Sequence, residues 1–545
     1  MQVIPNETLR SILSHGTKYR LPTTVSLEDI IDNIKQGVRD MMDSYARKHK
    51  IGKPPITVAT NMVMDYISSK ATNHLNRFHT NSGKIDLKHM RSVKQLHKWF
   101  VVTPVDKADS NYAFTCKKLY LKFMEAEMNA TTDSVRTYEP VSNINKEEIM
   151  RNHLAFTKNY RIPVIASTNL PRIYGIPKMH KTPVTFRFIT GAFDSSLKSL
   201  SIELQKMLRY MSDHFRRYCY KALERSGIDH YFPIANSMQV SQKLQRPCNE
   251  KLGIFCADFS SLFTNLPHSV IEQNLGKLIA LCFKNSGKRF LCVNGSKVYH
   301  TDEESKGRNY LLGDVMMIIK YILSHSFAVY GGCIYQQNCG IPQGNNASPQ
   351  IADLTLAYME FTYISKTVDR NHALAYRLNR TFRYIDDIIH ISNRYEDFIE
   401  ATKRIYHPSL TLEQTNTEET RANFLDLVVT ISSNNETYTE LFNKTDAYSF
   451  KVIKVIDFLS NMPLRIGLNT FHGEILRIHR NSSKYDGFLV RTRQLLQCFV
   501  ANQYTMQLLI SRLLRTLGRN PPIAHKYGLT SGELGTALLQ STTLT

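Results

Sequence analysis

Arg383-Tyr384-Ile385-Asp386-Asp387-Ile388-Ile389 places two adjacent carboxylates inside an apolar run. The flanking pattern predicts a hairpin, with residues 381–385 entering as one strand, 388–392 leaving as the next, and both aspartates at the turn. Neighbouring like charges repel and raise each other's pKa, so the pair is costly without a compensating cation. A divalent ion supplies that charge, and Mg²⁺ favours carboxylates together with substrate phosphates. Taken alone, Asp386-Asp387 is equally a solvated turn, and stretches elsewhere in the chain decide between the two.

Ile254-Phe255-Cys256-Ala257-Asp258-Phe259-Ser260-Ser261-Leu262-Phe263 predicts a buried strand ending on Asp258, after which Pro267 opens a helix. A carboxylate at the end of such a strand is expensive to bury unless it is paired or ligates a metal. Gly340-Ile341-Pro342-Gln343-Gly344, followed by Ser348-Pro349, predicts a close-approach turn that opens a long helix from 350 to about 368, with Ser348 as its cap. A helix N-terminus beside a glycine-rich turn suits a nucleotide. Lys178, Lys181 and Arg187 stand near the ends of two short apolar strands, a spacing that suits a triphosphate or an exposed hairpin.

The chain has 545 residues, with 69 Lys plus Arg against 47 Asp plus Glu, a net charge of +22. That excess favours a polyanionic partner, nucleic acid before a membrane surface. No apolar run reaches bilayer length, and the start, Met1-Gln2-Val3-Ile4-Pro5-Asn6-Glu7, lacks the order of a secretory signal. Nine scattered cysteines predict free thiols in a reducing, intracellular compartment, and Cys333 and Cys339 lack zinc-ribbon spacing.

Elsewhere the pattern predicts mostly helix over 1–95, with Ser26 as a cap and basic clusters at Arg47-Lys48-His49-Lys50 and around Lys84. A strand–turn–strand follows over 100–116, with Asp106 and Lys107 in its polar turn. Helix is expected over 195–250, an exposed, mobile hairpin or insertion over 284–312, and one strand over 423–431. From 455 to 517 the chain reads as basic helices broken at Pro463 and around Gly487, and 530–545 as a polar tail ordered at best in part.

A strand-end Asp, a Pro-Gln-Gly loop into a helix, and a Tyr-x-Asp-Asp hairpin, in that order, resemble the reverse transcriptase palm. The resemblance covers residues of about 100 to 450. Leu262-Phe263-Thr264-Asn265-Leu266-Pro267, Tyr174-Gly175-Ile176-Pro177-Lys178-Met179-His180-Lys181 and Phe424-Leu425-Asp426-Leu427 are similar to Penelope-like retroelement polymerases, relatives of telomerase. Asp106-Lys107 resembles that group's Asp-Lys-Gly element with Ala108 in place of glycine, and no GIY-YIG endonuclease motif is found.

The resemblance implies an α+β right-hand polymerase with an antiparallel palm sheet. Residues 1–98 form a helical basic extension, 99–250 the fingers, 251–434 the palm, and 435–545 the primer-grip hairpin and thumb. It implies an RNA-directed DNA polymerase, a nucleotidyltransferase of a retrotransposon, acting in the nucleus on an RNA template, a DNA primer or heteroduplex, and dNTPs. Asp258, Asp386 and Asp387 would be catalytic, holding two Mg²⁺ ions, or Mn²⁺ in their place, with the Phe259 carbonyl as a further ligand. Lys178, Arg187 and Gln343 would bind the incoming nucleotide, Phe263 would lie under its sugar, and Lys444 would belong to the primer grip. The rival readings are an RNA-dependent RNA polymerase and a domesticated, inactive nucleic-acid binder.

Overall fold

Gly253–Ser260 is one of the two inner strands of a four-stranded antiparallel sheet in the order Thr381–Tyr384, Asp387–Ser392, Gly253–Ser260, Thr411–Gln414. The computed structural model describes residues 7–20, 27–49, 51, 53–78, 87–132, 134–165, 169–244, 252–446 and 448–540. Alternation along Gly253–Ser260 sends Phe255, Ala257 and Phe259 into one core and Ile254 and Cys256 into another. The first core is helical, built on Lys198–Ser226, His268–Ser286, Leu312–Ser324 and Ser348–Arg370. The second lies between this sheet and a three-stranded sheet, Arg421–Phe424, Leu427–Ile431 and Thr437–Leu441. The free edge of Thr381–Tyr384 is covered, because Arg383 N–H donates to the Phe232 carbonyl at 2.9 Å and Ile234 N–H to the Arg383 carbonyl at 2.8 Å.

A five-stranded sheet adjoins this body. It orders Tyr138–Val141, Cys333–Gln337, Phe327–Tyr330, Arg172–Lys178 and Thr185–Gly191, so residues 327–337 join strands from far earlier in the chain. The hairpin of Phe100–Val105 and Ala108–Cys116 docks on it through Asp106 N–H to the Pro177 carbonyl at 3.0 Å. Helices Glu7–Ser14, Leu27–His49, Lys53–Phe78 and Leu87–Trp99 precede it. Helices Leu464–Asn481, Tyr485–Val500, Met506–Arg519 and Ser531–Gln540 form a C-terminal block with its own core. Among the described residues no helix is long and apolar enough to cross a membrane.

Several sequence expectations are corrected. The 284–312 stretch is a hairpin, one of the two forms expected, but not an exposed one: Phe290–Asn294, Lys297–Thr301 and Arg308–Tyr310 form a sheet with Leu291, Cys292 and Val293 buried. Its anchor is Glu203, 2% exposed, which accepts from Arg308 Nε at 2.6 Å and from the Tyr310 hydroxyl at 3.0 Å. Residues 423–431 are not one strand but the two arms of a hairpin turning at Leu425-Asp426. The 195–250 helix stops at Ser226, where Gly227 takes φ +69°, and Ser237–Leu244 is a separate helix. The break expected around Gly487 falls at residues 482–484, just before Tyr485–Val500. Beyond Thr530, Ser531–Gln540 is helical, with Leu534 and Leu538 buried in the C-terminal core. The Ser26 cap, Lys50 and Lys84 lie outside the described residues.

Candidate active site

Asp258 and Asp387 are direct cross-strand partners, so their side chains share a face of the sheet. That face carries the Cys256–Ile389 and Ile254–Ile391 pairs further along, and the acids stand where its apolar cover ends. Asp386 is beside them in a two-residue turn, Ile385-Asp386, and its carbonyl accepts from Phe259 N–H at 3.1 Å. The turn thus sits one residue earlier than the sequence suggested, with Asp387 on the strand. Ile385 adopts φ +55°, a left-handed conformation that a β-branched residue takes only under constraint.

The constraint is Arg383. Its guanidinium is fully buried and donates to the Ile385 carbonyl at 3.0 Å, to Asp353 Oδ1 at 2.7 Å, to the Asp353 carbonyl at 3.0 Å, and to both oxygens of Glu360. Glu360, itself fully buried, also accepts from the Tyr406 hydroxyl at 2.8 Å. Sequence reasoning gave this network no role. Its signal is Asp353 and Glu360, two acids seven residues apart within the largely buried first two-thirds of the helix, facing a cation in a buried strand.

The electrostatics are those of crowded acids with cations around them. Burial first, then Asp386 and Asp387, pushes the Asp258 carboxyl up to about 7, against the pull of Lys107 and Lys181. Asp387 is also raised, by burial and then Asp386, against Lys444, Lys107 and Arg187. Lys178 is held below the ordinary lysine range by burial and by Arg187 and Lys181, opposed by Asp106 and Asp258. Lys107 is lowered in the same way, by burial and then Lys444. Arg187 Nε lies 3.3 Å from Asp106 Oδ1, which fixes it at the edge of the acid cluster. Lys107 and Lys444 therefore join Lys178, Lys181 and Arg187, the three cations whose spacing suits a triphosphate. Lys107 reaches the site from a turn in which it, and not Ala108, takes the positive φ, +59°.

The glycine loop is wedged between two neighbours. Thr190 N–H donates to the Gln343 carbonyl at 2.7 Å, and Ile341 N–H donates to the Phe263 carbonyl at 2.6 Å. This sets Gln343 against the Thr185–Gly191 strand that carries Arg187, and ties the loop to Phe263, half-buried beside the helical core. A Cβ on Gly344 (φ +122°) would fall 2.2 Å from the Thr190 carbonyl oxygen. Gly344→Ala is expected to destabilise the protein by about 1–3 kcal/mol, read as a lower denaturation midpoint; an unshifted midpoint would show that the loop has room. Ser348 does not cap its helix, since Ala347 holds that position and the Ser348 hydroxyl donates to the Pro342 carbonyl at 2.8 Å.

Beside the acids opens a cleft of about 1040 Å³ walled by Lys18, Lys107, Tyr384, Lys444, Arg477 and Arg491 among others. The donor set around Asp258, Asp386 and Asp387 fits a hard divalent cation: all oxygen, anionic, with the Asp258 Oδ1 buried and lacking any hydrogen-bond partner. Among the described residues no three His, Cys, Asp or Glu side chains are drawn together as a ready-made metal cluster. Mutual repulsion of bare carboxylates opposes that closing up.

No family model and no curated protein matches this chain. Among solved structures, telomerase from Candida albicans in complex with the TWJ fragment of telomeric RNA is similar over 97% of this chain and 86% of that chain, at 11% identity and TM-score 0.52. The fold is reverse-transcriptase-like. Apo telomerase from Candida tropicalis covers 97% of this chain and 85% of its own at 10% identity (TM-score 0.43). The RNA-dependent RNA polymerase of a human picorbirnavirus covers 99% and 97% at 10% identity (TM-score 0.38). In this reverse-transcriptase-like fold the acids stand on neighbouring strands at one end of the central sheet, beside the cleft.

Proposed function

We propose that this protein is an RNA-directed DNA polymerase of a retroelement, most like the Penelope-like, telomerase-related group. The observation that carries the reading is the cross-strand pair Asp258–Asp387 with Asp386 at the adjacent turn, faced by Lys107, Lys178, Lys181, Arg187 and Lys444. Asp258, Asp386 and Asp387, with the Phe259 carbonyl, would hold two Mg²⁺ ions, for which Mn²⁺ is a substitute. When bound, such ions lower the pKa of an attacking hydroxyl and neutralise a leaving pyrophosphate.

In the reaction, the primer 3′ oxygen bonds to the α-phosphorus of a dNTP, the bond to pyrophosphate breaks, and the hydroxyl proton leaves to solvent. The chain's own side chains bind and orient. Lys178 and Arg187 hold the triphosphate, Gln343 meets the nucleotide at the loop, and Phe263 lies under the sugar and excludes a 2′-hydroxyl. Residues 1–98 serve as a basic extension, 99–250 as fingers, 251–434 as palm, and 435–545 as primer grip and thumb. The cleft's Lys18, Lys444, Arg477 and Arg491 suit the phosphates of a primer–template heteroduplex. Work on a retroelement RNA sets the protein inside the cell, in the nucleus.

The test is extension of a DNA primer on an RNA template with Mg²⁺, comparing dNTPs with NTPs. Extension with dNTPs alone is expected; extension with NTPs alone would turn the reading to an RNA polymerase, and none with either to an inactive binder. In the active protein, Phe263→Ala is expected to raise ribonucleotide incorporation relative to deoxynucleotide by about tenfold, the scale of one lost steric contact. An unchanged ratio removes Phe263 as the sugar gate.

A further inference from the structure

The helix Met506–Arg519 buries Leu509, Leu513 and Leu517 in the C-terminal core and carries Arg512, Arg515 and Arg519 on another face. The spacing of three and four residues stacks the guanidiniums in one stripe, where like charges destabilise the helix that holds them. Of the acids in this block, Glu474 pairs with Arg477 and Glu533 accepts from Thr530, so neither is taken up by the stripe. Between the stripe and helix Leu464–Asn481 lies a cavity of about 250 Å³, lined by the three arginines, His472, Thr516 and Asn520. Among the described residues no acid and no apolar side chain lines it. Arg512 is held in place by donating to the Leu468 carbonyl at 3.3 Å and to Asn469 Oδ1 at 3.0 Å. Burial and the charges of Arg512 and Arg519 lower the His472 pKa, as a strongly positive pocket should.

This pocket is separate from the cleft. At about 100° per residue, His472 points roughly opposite Glu474 and Arg477, which line the cleft, and the cleft takes no residue from Met506–Arg519. We infer that the pocket is a second nucleic-acid contact, taking backbone phosphates of an RNA strand that lies outside the cleft. Guanidinium forks bind phosphate oxygens in pairs. The stripe runs about 10 Å along the helix axis, long enough to meet more than one phosphate of a strand. Free phosphate shares this chemistry and is separated from the strand by the experiment.

The test uses the full chain, wild type against the triple variant Arg512→Gln, Arg515→Gln, Arg519→Gln, with melting temperatures compared first. Binding is measured to a short primer–template duplex and to the same duplex carrying a long single-stranded RNA extension, across a salt series. On the extended substrate the triple variant should bind more weakly, and its salt slope should fall by about 2, three contacts at about 0.7 each. Short-duplex affinity should be unchanged. Arg519→Gln alone, at the exposed end, should remove about a third of that slope, a readout that survives if the triple variant melts early. Equal losses on both substrates, or none on the extended one, overturn the inference. So does thermal protection of wild type by inorganic phosphate that the triple variant lacks and the extended RNA does not displace, which would make the pocket a small-anion site. These readouts need no turnover, so they fail or succeed independently of the polymerase reading.

Discussion

Asp258→Asn is expected to abolish nucleotide addition while making the metal-free protein more stable above neutral pH. The first effect follows from removing one anionic oxygen donor of three. Stabilisation of the transition state by several kcal/mol is lost, about 10³-fold or more in rate. The second effect follows from the raised carboxyl. Its folded pKa is about 7, against about 3.9 in an unfolded chain. Below about pH 4 both states hold the proton and the folded protein pays no penalty; as pH rises through 7 the folded state must ionise Asp258 among Asp386 and Asp387, and stability is lost. An asparagine never ionises. Melting curves in chelator should therefore coincide near pH 4 and separate at pH 8, with Asp258→Asn higher. Activity retained by the purified variant, or a lower melting temperature at pH 8, would remove Asp258 from this role.

Arg383→Met should be the most destabilising single change in the central sheet, about 3–5 kcal/mol, because it leaves Glu360 fully buried with no counter-ion. Asp353 is less exposed to that loss, its side chain being 24% accessible to water. Adding Glu360→Gln to Arg383→Met should recover most of the deficit, since the amide removes the charge and its oxygen still accepts from the Tyr406 hydroxyl. The check is a denaturant midpoint for both single variants and the double. Additive losses would show that Arg383 and Glu360 do not act as a pair.

The elements whose chemistry is local were readable in the sequence. Asp258, the Gly340–Gly344 loop and the Asp386-Asp387 hairpin stood out because each breaks an apolar pattern in a way that physics penalises. What the sequence hid was the placing of each break. Ile385 and Leu425 both sit at φ +55°, where turn rules expect Gly or Asn. Turn rules therefore place one turn a residue late, and Phe424-Leu425-Asp426-Leu427 reads as unbroken strand. The 290–310 stretch reads as an exposed hairpin or insertion because it is rich in polar and charged residues, and its anchor, Glu203, lies about a hundred residues away on a helix. Buried polar networks of this kind join residues too distant in sequence for periodicity to connect.

The hairpin that delivers Lys107 is also moored to the other end of the molecule. The Tyr448 hydroxyl donates to the Asp106 carbonyl at 2.6 Å, Asn111 holds the backbone of Lys451 and Ile453, and Thr17 N–H donates to the Ser110 carbonyl at 2.9 Å. Arg20 and Asn461 close the loop, with Arg20 N–H on the Ser460 hydroxyl at 2.9 Å and Asn461 N–H on the Arg20 carbonyl at 2.9 Å. The C-terminal helices and the Asp106-Lys107 turn are thus ends of one lever. A shift of those helices would therefore be felt at Lys107, whose turn stands beside Asp258 and Asp387.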